Sequence, residues 1–170
     1  MLTRVRRLLL GLSVMLTAAA VFYLYHLNSV QQEQPLPVIA QLPEFTLTDQ
    51  QGKPFAGSSL VGKVTLFDFI FTSCQGQCPA LSTALMQIAE HYTDSSKLQM
   101  VSISVDPDRD DPRALTAYAQ RYQARQGQWH FLTGPKQAIK ELMVRGFKIG
   151  SDDDPNMHST FILLLDTRGQ

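Results

Sequence analysis

The pattern of apolar and polar positions changes character near residue 28. From Leu8 to Leu27 the chain reads LLLGLSVMLTAAAVFYLYHL, without a formal charge. At helical rise this run covers about 30 Å, enough for the hydrocarbon core of a bilayer. The pattern predicts one transmembrane helix, with Tyr23, Tyr25 and His26 near the outer interface, where amphipathic rings are favoured. Residues 28–41 (NSVQQEQPLPVIAQ) are mostly polar and carry Pro35 and Pro37, which suits an extended spacer. The predicted organisation is therefore a membrane anchor over 1–27, a linker over 28–41 and a folded domain over 42–170.

Within that domain short β-rich runs alternate with helical stripes. Phe45 to Thr48 and Lys53 to Phe55 flank Asp49-Gln50-Gln51-Gly52, a hairpin pattern. Val64 to Phe71 (VTLFDFIF) reads as a strand buried on both faces, in which Asp68 needs a partner or a partly solvated face. Pro79 to Tyr92 reads as a helix with Leu81, Leu85, Ile88 and Tyr92 on its buried stripe. Gln99 to Val105 is the next strand. Asp111-Pro112 then opens a helix as N-cap and first position, leading through Leu115 and Tyr118. Trp129 to Leu132 is a short strand. A helix follows Gly134-Pro135, burying Ile139, Leu142 and Met143, and Phe161 to Leu165 (FILLL) is the last strand. This order predicts an α/β sandwich around a central mixed sheet with a largely parallel middle. Its crossovers should be right-handed. Chemistry in such sheets collects where strands run into helices, at their carboxyl ends.

Composition sharpens this in two ways. Lys plus Arg equals Asp plus Glu at 15 each, but Arg4, Arg6 and Arg7 precede the apolar run and no acid occurs before Glu33. Setting those arginines aside leaves 12 basic against 15 acidic residues, with no basic cluster, so nucleic acid is not an expected partner. The same arginines place the N-terminus in the cytoplasm and the domain on the far side of the membrane. The competing reading is a signal peptide cleaved after Ala18-Ala19-Ala20. It would leave the apolar Val21 to Leu27 as a new terminus, so the retained anchor is adopted. Both readings export the domain.

Cys74 and Cys78 are the two cysteines, which excludes a multi-disulfide scaffold and a four-cysteine zinc site. They lie in Phe71-Thr72-Ser73-Cys74-Gln75-Gly76-Gln77-Cys78-Pro79, between a strand and a helix start, where orphan N–H groups favour a thiolate. Three intervening residues, Gly76 among them, allow both sulfurs to converge. Such a pair suits Cu(I), zinc or exchange with another disulfide. A static disulfide is the alternative, closing a small loop worth the lower end of ~2–4 kcal/mol. Among the histidines, His26 belongs to the anchor, His91 ends a helix and His130 sits in a strand beside Trp129. His158, just before Ser159-Thr160 and the last strand, is the candidate third ligand.

From about Leu42 to Asp166 these residues resemble the Sco/SenC family of membrane-anchored, thioredoxin-like proteins of respiratory copper handling. The likeness is carried by Phe45-Thr46-Leu47-Thr48-Asp49 with Gly52-Lys53, by Gly62-Lys63-Val64, and by Phe71-Thr72-Ser73-Cys74 through Cys78-Pro79. Ser104-Val105-Asp106-Pro107-Asp108-Arg109-Asp110-Asp111-Pro112 matches a second signature, and His158-Ser159-Thr160-Phe161 a third. The resemblance implies a thioredoxin-like fold in which Cys74, Cys78 and His158 bind one copper, as Cu(I) or Cu(II). It further implies a copper-accepting oxidase subunit and a copper donor protein as partners, and a role in assembling the copper centre of cytochrome c oxidase. The implied location is the inner membrane, single-pass through residues 8–27, with the domain in the periplasm or the equivalent intermembrane space.

Two alternatives stay open. One is a thiol-disulfide oxidoreductase reducing a partner's cysteines with the same Cys74–Cys78 pair. The other is a peroxiredoxin-like peroxidase, which the two-thiol spacing disfavours. Asp106 to Asp111 reads as architecture, a turn followed by a helix cap, and Ser151 to Pro155 as a solvated loop. Asp166-Thr167-Arg168-Gly169 reads as a hairpin turn. The family's return strand and closing helix would follow it and are missing here, so FILLL is expected to keep an unpaired edge and an uncovered face.

Overall fold

The computed structural model describes residues 2–30, 37–150 and 161–170. The chain divides into two compact units, Met1–Pro37 and Val38–Gln170. The first contains helix α1, Leu2–Val30. Its Val5–His26 segment is long and apolar enough to cross a membrane. The hydroxyls of Ser13 and Thr17 donate to carbonyls of the preceding turn, which leaves them no unmet need in an apolar medium.

The second unit opens with strands β1, Thr46–Asp49, and β2, Pro54–Ala56, paired antiparallel. Their turn forms as the sequence predicts. The Asp49 carboxylate accepts from the Gln51 and Lys53 backbone N–H groups at 2.9 and 2.8 Å, and Gly52 takes the positive φ of 77°. Strand β3, Val64–Ile70, is followed by helix α2, Cys78–His91, and strand β4, Leu98–Ser104. Helix α3, Pro112–Arg121, strand β5, Trp129–Thr133, and helix α4, Lys136–Glu141, come next. Helix α4 runs on into a wider turn, Leu142–Gly146, and strand β6, Leu163–Leu165, closes the order. At α3 the Asp111 carboxylate accepts from Ala114 N–H at 2.7 Å and Pro112 takes the first turn, as expected.

The six strands form one mixed sheet in the order β2-β1-β5-β4-β3-β6. Its centre is parallel: β3 pairs with β4 from Val64–Leu98 to Ile70–Ser104, and β4 pairs with β5. The outer pairings, β1 with β5 and β6 with β3, are antiparallel. Side chains alternate across a strand, so each central strand serves two cores. Phe67, Phe69 and Ile103 pack with Ile139 and Met143 on the α4 side. Ile70, Met100, Trp129 and Phe131 pack with Leu85 and Leu115 on the side of α2 and α3.

Two expectations need correction. Helix α2 buries Cys78, Ser82, Leu85 and Ala89, whereas Leu81 and Ile88 are only half-buried and Tyr92, beyond the helix end, is 56% exposed. The Ser82 hydroxyl on this face is satisfied by the Tyr118 hydroxyl at 3.0 Å. The last strand is shorter than FILLL, since Phe161 and Ile162 lie outside β6. Asp68 has the partner it needed: it is fully buried, on the α2 and α3 side between Leu66 and Ile70, and the Ser102 hydroxyl donates to it. The hairpin turn at Asp166 does form, with Asp166 N–H donating to Gln170 O and Gly169 N–H to Asp166 O. Strand β6 is an edge strand whose Leu164 is 53% exposed.

Candidate dithiol and metal site

The two cysteines flank the passage from β3 into α2, at the carboxyl edge of the parallel strands. After Ile70 the chain makes a tight turn in which Cys74 N–H donates to Phe71 O at 3.0 Å. Helix α2 then begins without a side-chain cap on its N-terminal amides: Gln77 is the cap residue and makes no such bond, and Pro79 has no N–H to offer. The free amides are used by sulfur. Burial alone would raise the Cys74 thiol, but the Cys78 thiol and the backbone N–H groups of Cys78, Gly76 and Gln77 donate to it, and together they lower it below its ordinary value. Gly76 is not needed to make room, because a Cβ there would meet Cys74 Sγ at 3.9 Å, an ordinary contact.

Cys78 has the opposite character. It is buried at 4% exposure, and that burial pushes its thiol up to about 12. The hydrogen bond to Cys74 and the charges of Cys74 and Asp68 add to the rise, against a backbone hydrogen bond from Phe71. Both thiols are free. The pair is thus one accessible, thiolate-prone sulfur beside one buried sulfur that keeps its proton.

Asp68 is the buried charge behind the pair. Ser102 Oγ donates to its Oδ1 at 2.5 Å and itself accepts from the Trp129 indole N–H at 2.9 Å. Among the described residues Asp68 Oδ2 has no hydrogen-bond partner. Burial raises this carboxyl to about 7, with the Ser102 hydrogen bond and a backbone hydrogen bond opposing the rise.

The loop after β4 also reaches the site, which the sequence did not disclose. Asp110 is buried at 1% exposure. Its carboxylate accepts from Thr72 N–H at 3.0 Å, from the Thr72 hydroxyl at 2.5 Å and from the Ser104 hydroxyl at 2.5 Å. The loop is held in shape by Asp106, whose carbonyl accepts from Arg109 and Asp110 N–H and whose carboxylate pairs with Arg109 at 3.0 Å. The expected turn and helix cap are present, and a tie to the cysteine turn is added. The only available signal was that two aspartates follow Arg109 where one suffices to cap α3.

The other predicted positions separate clearly. His91 is exposed at the end of α2 beside Tyr92. His130 is half-buried against Phe55, at 4.9 Å between ring centroids, and burial lowers its imidazole, with Asp49 pulling it up and Lys63 down. His158 and the loop Ser151 to Pro155 lie outside the described residues. Among the described residues no group of three His, Cys, Asp or Glu side chains gathers in a metal-binding cluster. The observed donor set still fits a soft monovalent ion, since two free sulfurs share a hydrogen bond at a helix start.

The SCO1/SenC family model matches residues 34–170. The chain belongs to that family. A SCO1 protein homolog of Bacillus subtilis is 34% identical over 136 residues, covering 78% of this chain and 69% of the relative. A SCO2-like protein of Rickettsia conorii, RC0895, is 31% identical over 187 residues, covering 99% and 88%. Among solved structures, a SCO1/SenC family lipoprotein from Bacillus anthracis matches with a TM-score of 0.71 at 34% identity, over 79% of this chain and 83% of the other. Bradyrhizobium japonicum ScoI with copper bound matches with a TM-score of 0.66 at 28% identity, over 77% and 86%. BsSco, a member of the Sco family of cytochrome c oxidase assembly proteins in which a disulfide switch was identified, matches with a TM-score of 0.65 at 30% identity, over 81% and 84%. The expected thioredoxin-like fold is therefore the fold of this SCO1/SenC chain.

Proposed function

We propose that this SCO1/SenC protein binds copper and helps assemble the copper centre of cytochrome c oxidase. The observation that carries the reading is the pair of free thiols at the start of α2, the first part-exposed and the second buried behind it. The copper-bound ScoI of Bradyrhizobium japonicum supports it. Cys74, Cys78 and His158 are the ligands in this reading. Two sulfurs hold Cu(I), and an imidazole makes Cu(II) tolerable as well. The ion is cargo. A copper donor protein supplies it and an oxidase subunit accepts it, the exposed side of Cys74 being where a partner thiolate enters. Residues 1–27 anchor the protein in the inner membrane with a cytoplasmic N-terminus, 28–41 act as a spacer, and 42–170 face the periplasm or intermembrane space.

Copper titration of the full chain in detergent micelles tests the third ligand. His158→Ala is expected to weaken Cu(II) binding by about ten- to a hundredfold and to shift the thiolate-to-copper absorption band, while Cu(I) binding by the thiols changes far less. An unchanged Cu(II) affinity and spectrum would remove His158 from the site.

The unequal thiols favour a second reading, thiol-disulfide exchange, and the disulfide switch of BsSco agrees with it. Cys74 thiolate would attack a partner's disulfide, expelling one partner thiolate. The Cys78 thiolate, after losing its proton, would then attack Cys74 and release the second. The chain ends with a Cys74–Cys78 disulfide and the partner with two thiols. Rapid stoichiometric reduction of a protein disulfide by the dithiol form, undiminished by a copper chelator, is the expected result of this reading. Reduction no faster than by free cysteine excludes it.

A further inference from the structure

The Phe71–Cys74 turn is held at both ends. At one, Cys74 N–H reaches Phe71 O at 3.0 Å. At the other, Thr72 gives both its backbone N–H and its hydroxyl to the two oxygens of a single carboxylate, Asp110. That carboxylate comes from the β4–α3 loop, 38 residues along the chain, and the Ser104 hydroxyl at the end of β4 steadies it. The loop also abuts β3 through Val105 N–H to Ile70 O at 2.9 Å, so its backbone cannot drift from the turn. A two-oxygen grip on one residue fixes orientation as well as distance. Thr72 lies one peptide unit from Ser73 and two from Cys74, so rotation there swings the Cys74 sulfur relative to the amides of α2.

We propose that Asp110 is a positioning residue for the dithiol: acting through Thr72, it aims the Cys74 sulfur at the start of α2 and so sets its reach to Cys78. This rests on the reading of Cys74 and Cys78 as the working thiols and deepens it by naming what holds them. A carboxylate is suited to the task because Thr72 presents two donors side by side and Ser104 a third, and an anionic oxygen pair accepts all three. The packing interior to the turn does not require this charge: Phe71 and Cys74 contribute apolar surface to the α2 core from their own side of the strand end.

A purely architectural aspartate would alter stability and leave the chemistry of the thiols alone. The effective concentration of one thiol at the other separates the two roles. It is read from the equilibrium in which the dithiol and oxidised glutathione give the Cys74–Cys78 disulfide and two reduced glutathiones. The full chain in detergent micelles, metal-free throughout, is compared with Thr72→Ser, Thr72→Val and Asp110→Ala. Thr72→Ser keeps both donors and is expected to match wild type. Thr72→Val keeps shape but loses the hydroxyl donor, and Asp110→Ala removes the grip. Each is expected to move the equilibrium about tenfold towards the dithiol and to slow alkylation of Cys74 by iodoacetamide. If Thr72→Val keeps the wild-type equilibrium and alkylation rate, whatever its unfolding midpoint, the proposal is overturned. Should Asp110→Ala not fold, Thr72→Val against Thr72→Ser still decides. Because no metal enters the measurement, a failure of copper binding elsewhere leaves this result standing, and a failure here leaves copper binding untouched.

Discussion

Replacing Cys74 and Cys78 together by Ser should lower the Cu(I) affinity of the full chain by at least about a thousandfold, with each single change costing roughly a hundredfold. Serine keeps the size and loses the ligand, since a hydroxyl is a hard donor that stays protonated. The two single variants differ in what remains. Without Cys78, the Cys74 sulfur loses the donor thiol but keeps the backbone N–H groups of residues 76–78, which also favour its thiolate. Without Cys74, the remaining sulfur is still buried, burial alone holds its thiol up, and a cation must displace its proton. Affinity of the Cys74→Ser chain should accordingly rise more steeply with pH than that of Cys78→Ser. Competition against a chromophoric Cu(I) chelator at two pH values measures both effects. A double variant that still competes like wild type would show that copper is held elsewhere.

The second large effect concerns stability and Asp68. Its carboxyl is raised by burial from 3.8 to about 7. In the window between those values the native state binds the proton more tightly than the unfolded chain does. Stability therefore falls as pH rises from about 4 to about 7 and levels off above it, by an amount of the order of 4 kcal/mol for a shift of this size. His130, whose imidazole is lowered, works in the opposite direction as pH passes its ordinary range. The comparison with Asp68→Asn isolates the carboxylate, because the amide keeps an oxygen to accept from Ser102. Denaturant unfolding of the metal-free chain at pH 5 and pH 8 should show wild type losing stability relative to the variant at the higher pH. Parallel behaviour of the two chains would mean that Asp68 does not carry the charge there.

Much of this architecture was legible along the chain because it depends on short-range rules. An Asp-Pro pair caps and opens α3 wherever it occurs before a helical stripe, and the Asp111 bond to Ala114 spans three residues. The Asp49–Gly52 turn is likewise settled by bonds within five residues and by one glycine with φ of 77°. Runs such as VTLFDFIF, apolar on both faces, announce a central strand whatever its neighbours are. The position of both cysteines between that strand and a proline-started helix was visible by the same logic.

What the chain alone determined, then, was the alternation of elements, the apolar N-terminal helix, and the place where two thiols would meet helix amides. Those follow from periodicity, backbone restriction and local hydrogen bonds, which act over a few residues. Tertiary structure decided the rest. It turned the buried stripe of α2 to Cys78, Ser82, Leu85 and Ala89, because that face of the helix meets Ile70 and Met100 of the sheet. It enclosed Asp68 beside Ser102, 34 residues away, and set Asp110 on Thr72 across 38. It also split two chemically identical thiols into an accessible one and a buried one. Desolvation and long-range hydrogen bonds depend on which segments are brought together, and no local pattern carries that information.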